Sequence, residues 1–157
     1  MTNVWREAPL EQADGFVAQA RIFTLEEAER TLPLLRRILT DLRNEDRIWQ
    51  EALGDYELLS GGVRAQDEES DELTTARRAV TESADRITEY LEEIEAIGCL
   101  FKGFDAGLVD FYTLREDRLV FLCWRVEESH ITHWHEVDAG YAGRQPIDST
   151  FLTTTLS

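Results

Sequence analysis

Lysine is nearly missing from this chain: Lys102 is the single example among 16 basic residues, against 32 acidic ones. The net charge of −16 would repel nucleic-acid backbones and anionic membranes, so neither is expected as a partner. The only adjacent basic pairs, Arg36-Arg37 and Arg77-Arg78, are surrounded by acids. No apolar run approaches the roughly 18 residues of a membrane span. The opening residues lack the basic and apolar regions of a secretory signal, which points to the cytoplasm. There are two cysteines, Cys99 and Cys123, and no CxxC pair, so a disulfide framework is not expected and both read as buried, reduced thiols. P-loop, dinucleotide fingerprint, HExxH and nucleophile-elbow motifs are all missing, so no cofactor and no reaction can be assigned.

What is present suits a folded α+β chain, 43% apolar and 10% aromatic. Residues 1–20 show no sustained period and read as a loose arm. Order begins at Thr24-Leu25-Glu26-Glu27, a capping-box pattern with Phe23 placed as a hydrophobic staple. Pro33 interrupts the run that follows, which predicts a short helix ending near Thr31 and a fresh one with Pro33 in its opening turn. From there Leu35, Leu42, Trp49 and Tyr56 recur by sevens, up to Gly61-Gly62. After an acidic loop over 63–71, Leu73, Val80, Ile87 and Ile94 recur in the same way. Two matched seams predict a long antiparallel helical hairpin over about 24–98, each arm about 40 Å long, with Glu45 and Ser83 as polar notches. Leu39, Leu53 and Leu91 are expected to face outward.

Beyond Gly98 the apolar period changes to two. Cys99–Lys102, Val109–Leu114, Leu119–Val126 and Ile131–Val137 read as strands of a small C-terminal antiparallel β-meander over about 99–138. Leu119–Trp124 is apolar on both faces and should be the central strand. A Gly-rich turn over 139–147 follows and closes a single domain over 21–147. Residues 148–157 read as a flexible tail.

All three histidines, His130, His133 and His135, lie in one segment. A three-residue loop Glu127–Ser129 would set Cys123 opposite His133, giving Cys123, His133 and His135 as zinc-type ligands on two strands. A two-residue loop would turn Trp124 and Leu122 toward the histidines instead. The simpler reading makes His133 a surface residue and His135 a hydrogen-bonded, partly buried one, and no metal is assigned. The Glu127-x-x-His130 spacing falls on a turn, where the bundle-type iron geometry is lost. A mixed polar cluster is the stronger candidate: Arg125, His135, Glu136, Asp138, Arg144 and Gln145. Arg144, after Gly143 in a tight turn, could join exposed backbone N–H groups to a guanidinium fork suited to carboxylate or phosphate. His135 beside Glu136 and Asp138 could act as a base. The competing and preferred reading is a structural ion-pair network that pins the turn to the sheet.

Phe23–Ala28 with Leu32-Pro33, Gly107–Phe111, Leu122–Arg125, Trp134–Asp138 and Gly143–Pro146 together resemble the domain-of-unknown-function family numbered 2203. The resemblance runs from about Phe23 to Ile147. It implies a helical hairpin with an appended small sheet, and it implies no activity. Of the polar cluster, His135, Glu136, Asp138, Arg144 and Gln145 fall within those motifs, whereas His130 and His133 do not. The expected function is therefore a non-catalytic interaction module or scaffold, a homo-oligomer or a protein's partner through the hairpin. An anionic-ligand site at the polar cluster is the alternative, and a metal site at Cys123, His133 and His135 is the second.

Overall fold

The computed structural model describes residues 21–62 and 68–152. The expected arm over 1–20, most of the interhelical loop and the last five residues lie outside that range. Helix α1 runs Leu25–Ser60 and α2 runs Asp71–Ile97. Strands β1 (Leu100–Gly103), β2 (Leu108–Arg115), β3 (Arg118–Arg125), β4 (His133–Glu136) and β5 (Gln145–Pro146) follow. They form one antiparallel sheet in chain order, with β3 in the middle. The fold is thus α+β, a helical hairpin followed by a five-stranded meander.

Local chemistry accounts for the ends of the helices. The Thr24 side chain accepts from the Glu27 N–H at 3.0 Å, and the Glu27 carboxylate accepts from the Thr24 N–H at 2.9 Å. These two bonds satisfy donors that the first turn would otherwise leave orphaned. Bonding to Thr24 and Arg21 also holds the Glu27 carboxyl below its ordinary range. Phe23, just ahead of the cap, is buried edge-on against Phe111 of β2 at 5.2 Å. Gly98 ends α2 in the left-handed region at φ 102°, and a Cβ there would stand 2.7 Å from that of Arg21. A side chain at 98 would therefore be strained twice over.

Pro33 does not divide the first helix. It lies inside an unbroken α1, contrary to the break expected at Thr31. The missing N–H and the ring's clash with the preceding turn cost about 3 kcal/mol in a helix interior. Packing outweighs them here. Ala28, Leu32, Leu35, Leu39 and Leu42 form one stripe that is at most 2% exposed, and a break would pull half of it off the sheet. Leu39, expected to face outward, belongs to this stripe, and Leu91 is half-buried against the same core. The polar notches do meet: Ser83 Oγ donates to Glu45 Oε2 at 2.6 Å, and Arg86 Nε donates to Glu45 Oε1 at 2.8 Å.

The sheet has two different faces. Val109, Phe111, Val120, Leu122, Trp124 and Trp134 join the helical stripe in the main core. The pleat sends Leu100, Asp110, Tyr112, Phe121, Cys123 and His135 to the opposite side. The β2–β3 turn is the two-residue loop Glu116-Asp117, both at positive φ, which matches the right-handed twist of the strands. Of the expected tail, Ser149–Leu152 forms a helical turn that buries Phe151 near Trp134, ring centroids 5.7 Å apart.

Candidate functional site

Three adjacent strands bring Asp110, Cys123 and His135 together on the face turned away from the hairpin. Asp110 pairs directly with Cys123 across β2–β3. Cys123 pairs with His133 and Phe121 with His135 across β3–β4, which makes His135 the diagonal neighbour of Cys123. A carboxylate oxygen, the thiol sulfur and a ring nitrogen of the three all lie within 4.8 Å of one another. Each residue is at most 2% exposed.

Hydrogen bonding fixes how the imidazole sits. His135 Nδ1 lies 2.7 Å from the Glu136 carbonyl oxygen, and Nε2 lies 3.1 Å from Asp110 Oδ2. The carbonyl can only accept, so Nδ1 carries a proton. The Nε2–Oδ2 pair holds one more, as aspartate with imidazolium or as aspartic acid with imidazole. Burial opposes charge on the ring, but the bonds to Asp110 and to the carbonyl outweigh it and raise the His135 pKa. Asp110 Oδ1 is buried and has no partner at hydrogen-bond geometry. Burial, helped by the nearby Asp110 charge, pushes the Cys123 thiol up to about 12, so it is protonated near neutrality. Both ring nitrogens are engaged by other partners, the Glu136 carbonyl and Asp110, so the ring is not set as the base of a cysteine–histidine nucleophilic pair.

Arg144 approaches the same cysteine from the turn side. Its Nη2 donates to the Cys123 carbonyl at 3.1 Å and to Glu128 Oε1 at 2.6 Å. Glu128 is the hub of the turn. It also accepts from the Arg125 N–H at 2.8 Å, while its own carbonyl accepts from Trp124 Nε1 and from Arg36 Nη2, each at 2.9 Å. Burial alone would raise the Glu128 carboxyl, but the bonds from Arg144 and the Arg125 N–H bring it below its ordinary value. Arg125 donates to the Tyr141 hydroxyl at 2.9 Å and lies 3.6 Å from Glu127. The Gly143 and Arg144 N–H groups, expected to be open to an anion, close the short turn on Gly140 and Tyr141.

The expected polar cluster therefore divides. His135 and Arg144 meet through Cys123, His135 near its side chain and Arg144 at its carbonyl and its side chain. Glu136 points elsewhere and pairs with Arg118 at 2.7 Å. Asp138 and Gln145 are exposed, the latter on β5 against Trp134. His133 lies opposite Cys123 in register, but its Nδ1 is 2.8 Å from Thr132 Oγ1. His130 stands beside Glu29 at 3.3 Å. Sequence reasoning gives no role to Asp110 or Glu128. A lone carboxylate within Leu108-Val109-Asp110-Phe111-Tyr112 is the available signal, because an acid in a doubly covered strand must find a partner.

A second feature lies at the far end of the hairpin. Ile48, Ala52, Leu58 and Leu59 of α1 and Ala76 and Ala79 of α2 line an open groove of about 850 Å³. Glu51, Asp55, Asp71 and Glu72 also line it, and among the described residues no basic one does. Leu58 is 84% exposed, Ile48 and Leu59 41% each.

The model of a family described as an uncharacterized conserved protein, DUF2203, matches residues 21–147. No curated protein matches the chain, and no solved structure does.

Proposed function

We propose that this chain, which belongs to the DUF2203 family of uncharacterized conserved proteins, is a non-catalytic interaction module that docks a partner at the free end of its hairpin. The observation that carries this reading is the change in burial of apolar residues along α1. Near the sheet Leu35, Leu39 and Leu42 are fully buried, whereas Ile48, Leu58 and Leu59 toward the free end remain open. Among the described residues the two helices do not cover that end, and a contiguous apolar groove with a polar rim is the usual form of a docking site.

Charge selects the occupant. Among the described residues four acids and no base line the groove, and the chain carries −16 overall. A second copy would set acid against acid. An amphipathic helix with an apolar face and basic flanks would fill the groove and neutralise its rim. We place the module in the cytoplasm, a reading supported by two buried thiols that form no disulfide. No helix among the described residues is long and apolar enough to cross a membrane.

Titration with an idealised, dye-labelled Leu/Lys amphipathic peptide, followed by the anisotropy of the dye, tests the reading. Wild type should bind it, and should not bind the matching Leu/Glu peptide. The Leu58→Ser/Leu59→Ser double variant leaves the charge unchanged and should bind roughly tenfold more weakly. Equal binding by that variant would reduce the effect to general attraction between opposite charges and overturn the reading. Dimers in sedimentation that the same variant abolishes would assign the groove to a second copy instead.

A further inference from the structure

We infer that Asp110, Cys123 and His135 form a structural site for a zinc-class divalent metal ion, on the sheet face opposite the hairpin. Their donors are an oxygen, a sulfur and a nitrogen, the set that borderline-soft zinc accepts and that magnesium or calcium does not. They come from three adjacent strands and converge within 4.8 Å. Donors around tetrahedral zinc stand roughly 3.3–3.8 Å apart, so small side-chain rotations suffice. The site is independent of the groove at the other end of the molecule.

Orientation supports the same assignment. A metal-bound histidine needs its second ring nitrogen anchored, and His135 Nδ1 donates to the Glu136 carbonyl at 2.7 Å. That leaves the Nε2 lone pair for the metal once the proton shared with Asp110 departs. The other carboxylate oxygen, Asp110 Oδ1, is a buried acceptor without a partner, and such an atom is costly unless something binds it. It can make the Asp110 carboxylate a bidentate ligand, which leaves three protein ligands at the site. Arg144 lies beside the Cys123 side chain, and its ion pair with Glu128 at 2.6 Å offsets part of its repulsion of a cation.

Charge and protons balance. In the metal-free protein the Asp110–His135 pair is neutral with one shared proton, and the Cys123 thiol is neutral with another. Entry of M²⁺ releases both protons and leaves carboxylate, thiolate, neutral imidazole and metal, again of zero net charge. A site so sealed can therefore exchange two protons for one ion without burying uncompensated charge. His133 is not part of this set, since its imidazole turns to Thr132.

Refolding the full chain with cobalt(II), then separately with zinc, tests the assignment. One equivalent of cobalt should bind and give a sulfur-to-metal charge-transfer band. The band should vanish in Cys123→Ser and persist in Cys99→Ser, which alters the other buried thiol. Zinc should raise the melting temperature of wild type by at least about 5 °C and leave Cys123→Ser unmoved. Less than half an equivalent in folded wild type overturns the assignment, and so does a band that follows Cys99. The wild-type stoichiometry decides the matter without any variant, so a Cys123→Ser protein that fails to fold does not rescue the proposal. Asp110→Asn, nearly isosteric, should then serve as the second variant and bind at least tenfold more weakly.

Discussion

The two ends of α1 differ in what covers their apolar residues. Under the sheet, the stripe from Ala28 to Leu42 is sealed by Phe111, Val109, Leu122 and Trp124. Beyond Glu45, α1 has no fully buried residue, and Leu58 stands almost fully in solvent. The boundary is the Glu45–Ser83–Arg86 cluster, in which buried Glu45 and Ser83 meet a half-exposed Arg86 across the two helices. A periodic apolar seam therefore says which face a helix would bury. Whether anything is there to cover it depends on the rest of the fold.

That contrast can be broken from the sheet end with the largest effects. Asp110→Ala, measured in chelator, removes one partner of a sealed pair and should cost about 3–5 kcal/mol in denaturant unfolding. Leu39→Ala should cost about 2–5 kcal/mol, since it opens a cavity under the sheet. At the boundary, Ser83→Ala leaves a buried Glu45 oxygen without its donor and should cost about 1–3 kcal/mol. At the free end, Leu58→Ser should change stability by no more than about 0.5 kcal/mol. Equal losses at Leu39 and Leu58 would erase the distinction between the ends.

The boundary also has a pH signature. Arg86 and Ser83 hold the Glu45 carboxyl below its ordinary 4.5, although burial pulls it upward. Because the folded value is depressed, its stabilisation is complete above pH 4.5 and is lost as pH falls through the folded value. The stability difference between wild type and Glu45→Gln should therefore narrow below pH 4.5 and be flat from pH 6 to 8. A difference that persists unchanged into acid would show that the carboxylate's charge does not hold this junction.

Local signals are the legible ones. The capping box at Thr24 and Glu27, the change of period after Gly98 and the notches at Glu45 and Ser83 all rest on spacing within a few turns, and each forms. Pro33 misleads because a local penalty of about 3 kcal/mol is set against a stripe whose burial only the sheet reveals. Leu39 is misplaced for the same reason: a hairpin seam explains one face of α1, and the sheet covers a second. At the candidate site, Cys123 and His135 are legible as residue types worth watching. Asp110 is not, since in a strand buried on both faces the alternation that would betray a polar position is hidden. The short β5 pairing at Gln145–Pro146 leaves no periodic trace at all.

Native-state hydrogen exchange along α1 tests the division most directly. Amides from Ala28 to Leu42 should exchange only through global unfolding, and those from Ile48 to Ser60 through much cheaper local opening. Addition of the Leu/Lys peptide should slow the second group and leave the first unchanged. Uniform protection over the whole helix, indifferent to the peptide, would contradict a sealed end that holds the fold and an open end that meets a partner.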